Sequence, residues 1–296
     1  MKVEKIERLL IGQKSRFKLK EEQVHELKKD FLNSTLLIIG AAGSIGKAFS
    51  LKLKKYNIKE IIFLDKDENG LSNLSRDIVI NFKQKVKRTY ICTDLNNTNF
   101  KKIIIDFKVT HLFNFAALKH VRSEEDIYSI NYMIRTNLLT FFKNKKIYDN
   151  KKLKKIFFIS TDKAVNPSSI MGCSKKIMEN ELHKLKTNFK KKFVSTVRFA
   201  NVTFSNGSIL KNVRERILNC EVFGIPDNVK RYFITHSEAA DLCLISLLKQ
   251  SDGNIIVPSP TILNNQILIK DLVIKINKIL NKKYIFSTKL KKVKKN

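Results

Sequence analysis

The fold is decided by the stretch Thr35-Leu-Leu-Ile-Ile-Gly-Ala-Ala-Gly-Ser-Ile-Gly46, which runs from a short apolar segment into a glycine-rich loop. The apolar segment is short and β-branched, as in a strand buried in a parallel sheet. The amphipathic sequence KAFSLKLKKY follows and predicts a helix. A strand, a loop with three spaced glycines and a helix together form the pattern that binds the pyrophosphate of a dinucleotide.

Each glycine of this loop has a separate predicted role. Gly40 permits the tight turn, Gly43 lets the backbone approach the pyrophosphate, and Gly46 allows the helix to pack closely on the strand. We expect the intervening Ser44 and Ile45 to contact the cofactor as well. The alternative interpretation is a glycine-rich turn without a ligand.

Acidic residues follow the next two predicted strands. Asp65 lies 19 residues after Gly46, where an acid accepts hydrogen bonds from the adenosine ribose and favours NAD. The neighbouring Lys66 is able to pair with a 2′-phosphate, so NADP stays possible. Asp94 either caps the adenine or is an ordinary turn residue.

Further strands and helices alternate along the chain. Strands are predicted at 60–65, 88–94, 111–117, 155–160 and 192–199, with helices at 69–82, 127–147 and 174–186. This alternation predicts an α/β fold with a doubly wound parallel sheet of the Rossmann type. We expect a basic helical lead-in at 1–33, a dinucleotide-binding domain at 34–200 and a smaller C-terminal substrate-covering region at 201–296.

Composition narrows the class of protein. The chain has 296 residues and a formal net charge of +31, but only 10 of its 58 basic residues are arginine, the residue that nucleic-acid sites favour. We therefore expect no nucleic-acid partner. No apolar run is long enough for a membrane span or a signal peptide, which predicts a cytoplasmic protein. The four scattered cysteines predict isolated buried thiols, and no metal site is expected.

Five further motifs occur in order along the chain, and together they resemble one enzyme family. They are Ala116-Ala-Leu-Lys-His-Val-Arg122, Ser160-Thr-Asp-Lys-Ala-Val-Asn-Pro167, Met171-Gly-Cys-Ser-Lys175, Arg198-Phe-Ala-Asn-Val202 and Lys230-Arg-Tyr-Phe-Ile234. They are similar to the UDP-N-acetylglucosamine 4,6-dehydratases of the polysaccharide (capsule and O-antigen) biosynthesis family, in the extended short-chain dehydrogenase superfamily. The resemblance covers about residues 8–257, so we expect the region 201–296 to be truncated relative to the family.

The resemblance implies a reaction. Such enzymes oxidise C4 of the sugar, eliminate water across C5 and C6, and return hydride to C6, which gives a UDP-4-keto-6-deoxy-N-acetylhexosamine for surface glycans. The resemblance assigns Asp162 as the acid at C6 and Lys163 as the base at C5. The alternative interpretation of this pair is a surface turn with an ordinary ion pair.

One position departs from the wider superfamily pattern. Short-chain dehydrogenases usually carry Tyr-x-x-x-Lys, whereas this chain has Met171 at the tyrosine position and retains Lys175. Because a thioether does not exchange protons, Thr161 becomes the candidate group at the C4 hydroxyl, and Lys175 is expected to hold the nicotinamide ribose. The alternative is one core methionine and one solvated lysine.

The resemblance implies further ligand contacts. Asn137 is expected to steady a backbone carbonyl or a water, Asn201 to contact the UDP moiety, and Arg231 to clamp the pyrophosphate or form a salt bridge within the protein. Additional cofactor contacts are predicted at Leu95, Ala116, Ala117 and Lys119, and additional substrate contacts at Lys119, His120 and Met171.

Three other functions remain open at this point. A UDP-sugar epimerase uses the same C4 oxidation, although the Asp162–Lys163 pair favours elimination. A nucleotide-binding module without turnover would tolerate loss of that pair, and a basic nucleic-acid binder would show salt-dependent binding. Relatives with this architecture imply a homo-oligomer.

Overall fold

The computed structural model describes residues 3–12, 14–83, 85–119, 124–142, 145–221, 223–264 and 266–281. The chain divides into two compact units. The larger unit comprises residues 18–198 and 240–257, and the smaller unit comprises the described parts of 1–17, 199–239 and 258–296.

The helices and strands follow one another as the alternating sequence pattern predicts. The helices are α1 (Val3–Leu10), α2 (Glu21–Phe31), α3 (Ser44–Lys52), α4 (Glu68–Asn81), α5 (Phe100–Asp106), α6 (Ile127–Ile134), α7 (Thr140–Phe142), α8 (Ile170–Asn188), α9 (Ile209–Leu218), α10 (His236–Ile245), α11 (Pro260–Leu263) and α12 (Ile269–Ile279). The strands are β1 (Thr35–Ile39), β2 (Glu60–Asp65), β3 (Lys87–Cys92), β4 (His111–Asn114), β5 (Lys155–Ile159), β6 (Phe193–Val197), β7 (Asn201–Val202), β8 (Lys230–Arg231), β9 (Phe233–Ile234), β10 (Ile255–Ile256) and β11 (Ile267–Leu268).

The larger unit is built on a seven-stranded sheet. Its strand order is β10-β6-β5-β4-β1-β2-β3, and all neighbouring strands are parallel. The chain winds outward in one direction from β1 to β3 and in the other direction from β4 onward. The predicted doubly wound α/β fold is confirmed, and the strand order reverses between β1 and β4, where such sheets bind ligands at their carboxyl ends.

The central strands of this sheet are buried on both faces, since every residue of β1, β4 and β5 is buried. Alternate residues form one aliphatic and aromatic cluster that includes Leu37, Ile62, Leu112 and Ile156. The opposite face is aromatic, with ring centroids 5.1–6.3 Å apart in the contacts of Phe31, Phe49, Phe113 and Phe157. Packing of this kind fixes the strand ends, which carry the loops of the candidate site.

Helix boundaries differ from the sequence prediction at the two helices closest to the candidate site. The predicted helix 127–147 is interrupted by a π-helical turn at Arg135–Leu139, in which the Thr140 N–H donates to the Arg135 carbonyl. Helix α8 begins before the predicted residue 174, because the Ser169 side chain caps it by accepting from Gly172 N.

The smaller unit has its own apolar core. Strand β7 pairs parallel with β9, and β8 pairs antiparallel with β11. Helix α1 packs in a cluster with residues of α9 and α12, including Ile6, Leu210 and Leu272. Helix α10 crosses the division between the units.

The basic lead-in is divided between the two units, which differs from the predicted ranges. Arg16 donates to both carboxylate oxygens of Glu238, at 2.7 and 2.9 Å, and to the Phe233 and Leu263 carbonyls. These bonds tie residues up to Phe17 to the smaller unit, whereas α2 belongs to the larger unit.

The described helices and cysteines test two expectations drawn from the composition. No helix in these parts of the chain combines the length and the apolar character needed to cross a membrane. The expectation of buried thiols is wrong for three of the four cysteines, since Cys92, Cys173 and Cys220 are exposed and only Cys243 is buried.

A buried polar cluster joins α2 to the amino ends of β4 and β5. Lys155 Nζ donates to Asp30 Oδ2 at 2.7 Å and to the Leu247 carbonyl, and His111 Nε2 lies 3.4 Å from the same Asp30 oxygen. Burial lowers the pKa of His111 below its ordinary value of 6.5, although the hydrogen bond and charge of Asp30 oppose that shift.

We expect this histidine to make stability depend on pH. Because the pKa is lowered on folding, the folded state binds fewer protons at His111 than the unfolded chain does. The contribution of His111 to the free energy of unfolding is therefore complete above about pH 6.5 and is lost as the pH falls. His111→Phe keeps the ring packing against Phe31 and Phe113. Urea denaturation should therefore show a smaller loss of unfolding free energy between about pH 7 and about pH 5 in this variant.

The exposed His183 of α8 supplies the control, because His183→Asn should leave the pH dependence as in the wild type. An unchanged slope in His111→Phe would contradict the prediction.

Candidate active site

Two glycines of the loop, Gly40 and Gly46, have no space for a Cβ atom. Gly40 has a positive φ of 72°, and a Cβ atom there would lie 2.5 Å from the Ala116 nitrogen, in the segment after β4. A Cβ atom at Gly46 would lie 2.2 Å from the Gly40 carbonyl oxygen. The loop therefore folds closely on itself and on the β4 segment at the point where the strand order reverses.

Asp65 holds this loop from the end of β2. Its Oδ2 accepts from Ala42 N at 2.9 Å, and its Oδ1 accepts from Asp67 N at 3.1 Å. The side chain is half-buried. The carboxylate retains further lone pairs for a ligand hydroxyl.

Asp94 follows β3 and is bound by a tyrosine that the sequence did not suggest. The Tyr132 hydroxyl donates to Asp94 Oδ2 at 2.5 Å, and Asn96 N donates to Oδ1 at 2.8 Å. Lys66 Nζ lies 3.2 Å from the Tyr132 hydroxyl and 5.0 Å from its ring centroid. Although partial burial opposes ionisation, these hydrogen bonds and the Lys66 charge hold the pKa of Asp94 below its usual value. Leu95, the next residue, is buried.

The segment after β4 is held by two asparagines. Asn114 Oδ1 accepts from Ala116 N at 3.0 Å. Asn137 is fully buried, and its amide accepts from Leu118 N and donates to the Leu118 carbonyl, both at 3.0 Å, and to Ser174 Oγ at 3.1 Å. With its amide fully engaged, Asn137 holds the backbone of this segment, including the Leu118 carbonyl, and its predicted contact with substrate stays a prediction.

Lys119 and His120 are the two predicted ligand contacts that follow Leu118 in the sequence. Lys119 is exposed at the end of the described segment, beside the half-buried Ala117. His120 lies outside the described residues.

The turn after β5 carries Thr161, Asp162 and Lys163, with Ser160 between it and the strand. They lead into the 3-10 turn Asp162–Ala164, which Thr161 caps by accepting from Lys163 N. Thr161 Oγ1 donates to Asp162 Oδ1 at 3.0 Å, and both Asp162 and Lys163 are exposed. An acidic and a basic group therefore stand next to each other at the carboxyl end of the sheet.

Helix α8 begins beside this turn and carries Met171 and Lys175. The carboxylate of Glu124 accepts from Ile170 N at 3.1 Å and from Met171 N at 2.9 Å, which places a negative charge at the helix N-terminus. Met171 is 2% exposed. Its side chain packs in the interior, and its predicted contact with substrate stays a prediction.

Lys175 is also buried, at 3% exposure. Its Nζ donates to the Ile159 carbonyl at 3.0 Å and lies 3.7 Å from Met178 Sδ. Burial lowers the pKa of Lys175 to about 8, although the charge of Glu179 opposes the shift. The alternative of a solvated lysine is therefore excluded.

The larger unit thus contains most of the predicted site residues, grouped at the carboxyl ends of β1, β2, β4 and β5. Asn201 on β7 and Arg231 on β8 belong to the smaller unit, where both are exposed. Asn201 donates through Nδ2 to the Tyr232 carbonyl at 3.3 Å, and Arg231 donates through Nη1 to the Lys230 carbonyl at 3.1 Å. No acidic partner of Arg231 is found among the described residues.

Sequence reasoning missed the residues that position the site. These are Asn114, Glu124, Tyr132 and Glu179. Only Glu179 carried a signal, since it lies one helical turn after Lys175 on the same face. The contact between Glu124 and Met171 joins residues 47 positions apart and has no local signature.

The loop fits a bound dinucleotide. Gly43 is the N-cap of α3, so a pyrophosphate placed there meets the N–H groups and the positive end of the helix. The absence of Cβ atoms at Gly40, Gly43 and Gly46 permits close approach of that group, and Asp65 stands beside the loop. Ser44 and Ile45 form the first turn of α3.

We expect Gly46→Ala to lower the free energy of unfolding by about 1–3 kcal/mol, because the new methyl group would overlap the Gly40 carbonyl oxygen. Urea denaturation measures this change, and calorimetric titration with NAD+ should show weakened binding. Gly43→Ala is the matched control for stability alone, since its Cβ atom would lie 3.2 Å from the same oxygen and requires a smaller adjustment. Equal stability of Gly46→Ala and wild type would contradict the packing argument.

Asn137→Ala should loosen the segment after β4. The substitution leaves the Leu118 N–H and carbonyl without their side-chain partner, at a cost of about 1–3 kcal/mol. Hydrogen exchange of the Leu118 amide should accelerate, whereas Asn131→Ala, an exposed asparagine on α6, should leave it unchanged. Wild-type exchange in Asn137→Ala would show that this contact does not hold the segment.

Comparison with known proteins identifies relatives in polysaccharide biosynthesis. The capsular polysaccharide biosynthesis protein CapD of Staphylococcus aureus is 29% identical over 274 residues, which cover 86% of this chain and 45% of CapD. The uncharacterized membrane protein MJ1061 of Methanocaldococcus jannaschii is 32% identical over 256 residues, which cover 84% of this chain and 72% of that protein. A UDP-glucose 4-epimerase of Rickettsia bellii is 31% identical over 250 residues, covering 82% and 71% respectively. The chain spans about half the length of CapD.

Solved structures share the fold. Pen from Bacillus thuringiensis superimposes with a TM-score of 0.74 at 22% identity, covering 86% of this chain and 77% of that one. The Bordetella bronchiseptica enzyme WbmF, in complex with NAD+, has a TM-score of 0.69 at 16% identity, covering 89% and 83%.

A family model described as polysaccharide biosynthesis protein matches residues 36–293. The match extends past Val257, where the sequence resemblance was expected to end. MJ1061 and the epimerase each exceed 30% identity, and the fold matches that of Pen. Because the family model spans most of the chain, the chain belongs to the polysaccharide biosynthesis protein family.

Proposed function

We propose that the protein is a nucleotide-sugar 4,6-dehydratase that converts UDP-N-acetylglucosamine to a UDP-4-keto-6-deoxy-N-acetylhexosamine. The observation that carries this proposal is the turn after β5, where Asp162 and Lys163 stand side by side and exposed. Elimination of water across C5 and C6 needs an acid and a base on neighbouring atoms of one substrate.

The cofactor of this proposal is NAD, held at the glycine loop with its adenosine near Asp65 and Asp94. Bound nicotinamide supplies the acceptance of hydride from C4 and its return to C6. The fold relative WbmF binds NAD+, which supports this choice. NADP is the alternative, because Lys66 is next to Asp65 and carries a positive charge.

The three residues of the turn take separate roles. Thr161 passes the proton of the C4 hydroxyl to Asp162, and Asp162 gives that proton to the departing C6 hydroxyl. Lys163 removes the C5 proton and returns it to C5 when hydride returns to C6. The hydrogen bond from Thr161 Oγ1 to Asp162 Oδ1 joins the first two groups. A lysine removes a proton only in its neutral form, which burial favours, so the proposal requires that bound substrate covers this exposed side chain.

Helix α8 supplies the support for this chemistry. Lys175 has one N–H beyond its two protein contacts and would offer it to the nicotinamide ribose. Met171 takes no part in proton transfer, since a thioether neither donates nor accepts a proton.

The substrate side of the proposal uses exposed polar residues. In the larger unit, Lys119 would line the sugar. The smaller unit, taken by itself, offers Asn201 and Arg231 as exposed groups that suit a uridine diphosphate. A guanidinium matches the oxygens of a pyrophosphate in a bidentate arrangement. A UDP-sugar epimerase is the second candidate, favoured by the similarity to the Rickettsia bellii UDP-glucose 4-epimerase.

A single assay separates these candidates. We expect the protein, without added cofactor, to convert UDP-N-acetylglucosamine to a product lighter by one water, detected by mass spectrometry. Asp162→Asn and Lys163→Ala should each lower turnover about 100-fold or more, as expected for loss of a proton-transfer group. Both variants should retain NAD+ binding, because neither residue belongs to the glycine loop.

Met171→Leu is the matched control, since it preserves the apolar packing and should keep turnover close to wild type. A product of unchanged mass with inverted C4 would identify an epimerase. Normal turnover in Asp162→Asn and Lys163→Ala would overturn the assigned roles.

A further inference from the structure

A buried charge network lies beneath the turn that carries Thr161. Glu179 on α8 is 3% exposed, and Arg198 donates to both of its carboxylate oxygens, through Nε at 2.7 Å and through Nη2 at 2.5 Å. Ser160 Oγ donates to Glu179 Oε1 at 2.6 Å. Arg198 follows β6, so this one carboxylate joins the ends of two strands to α8.

The same network reaches Lys175 from the other side. Lys175 Nζ donates to the carbonyl of Ile159, and Ser160 is the next residue. The last two residues before Thr161 are therefore bound by two side chains of α8, Lys175 and Glu179, which lie one helical turn apart. Movement of Glu179 would displace both the turn and the ammonium group.

We propose that Glu179 is a positioning residue of the active site, which fixes Lys175 and the Thr161–Lys163 turn relative to each other through Ser160 and Arg198. The proposal rests on the proposed function, because it assigns Glu179 to the same site. Both carboxylate oxygens of Glu179 are bound by Ser160 and Arg198, so Glu179 acts through these neighbours.

Charge gives this role a measurable signature. The Glu179 carboxylate favours the protonated form of Lys175, whereas burial opposes it. The hydrogen bond to Glu179 raises the pKa of Arg198, so the guanidinium keeps its charge. The other titratable or charged groups of the elements packed on α8 are Glu124, Tyr128, Tyr132, Arg135, Asp162 and Lys163.

The two sides of the ion pair act on Lys175 with opposite sign. Glu179→Gln removes the attractive carboxylate and leaves the like-charged guanidinium, so the pKa of Lys175 should fall. The double variant Glu179→Gln/Arg198→Met removes both charges and should give a value between those of the single variant and the wild type. This order distinguishes electrostatic positioning from general loosening of the core.

The experiment is an NMR titration of protein labelled with 13C at lysine Cε, with the Lys175 signal assigned by its loss in Lys175→Met. Glu181→Gln is the matched control, because it removes a carboxylate from the same helix that pairs with Lys184 instead. It should leave the Lys175 titration unchanged. Circular dichroism shows whether Glu179→Gln folds. If it does not, the pKa of Lys175 in the double variant should still lie below the wild-type value.

A second variant tests the geometric part. Ser160→Ala keeps the ion pair but removes the hydroxyl that connects Glu179 to the turn, so kcat for the water-loss reaction should fall about tenfold or more with little change in KM. The pKa of Lys175 should stay as in the wild type.

These results separate the two proposals. If wild type shows no turnover of UDP-N-acetylglucosamine while the order of Lys175 titrations holds, the dehydratase assignment fails and the positioning role stands. A Lys175 titration that Glu179→Gln leaves unmoved overturns the positioning role, and so does an unchanged kcat in Ser160→Ala.

Discussion

The candidate site depends on the contact between the backbones of two loops that leaves no space for a Cβ atom. Gly40 meets the segment after β4 at Ala116, and Gly46 rests on the Gly40 carbonyl oxygen. Because the strand order reverses between β1 and β4, this contact sets the floor of the crevice where ligands bind in doubly wound sheets. Asp65, which accepts from Ala42 N, holds the same loop from β2. The side chains that bear chemistry are arranged around this floor.

Local sequence patterns were sufficient to predict the strands and the glycine loop of the site. They were not sufficient to predict the side chains that hold the surrounding segments in place. The bounds of β1 and β2 agree with the sequence prediction, because unbroken apolar runs and flanking turn residues are local signals. The contacts of Asn137 with Leu118 and of Glu124 with Met171 depend on packing between distant segments. The contact of the lead-in has no local signature for the same reason, since the partner of Arg16 is Glu238, 222 positions away.

Buried ionic groups occur at both ends of the sheet, and in each case a carboxylate satisfies a buried cation. Asp30 pairs with Lys155 at the amino ends of the strands, and Glu179 pairs with Arg198 at the carboxyl ends. Removing one member of such a pair leaves an uncompensated charge, which is far more costly than replacing both by apolar groups. The amino-end cluster serves stability, whereas the carboxyl-end cluster lies directly beneath the candidate site.

The π-helical turn at Arg135–Leu139 separates two halves of one helix that face different parts of the site. Tyr132, before the turn, binds Asp94, and Asn137, within it, binds Leu118. Each residue along an α-helix advances by about 100° around the axis, so the extra residue of the turn sets the angular phase between these two side chains. A one-residue deletion that restored a regular helix would rotate one of them away from its partner. This length of helix therefore tolerates substitution more readily than any change in the number of its residues.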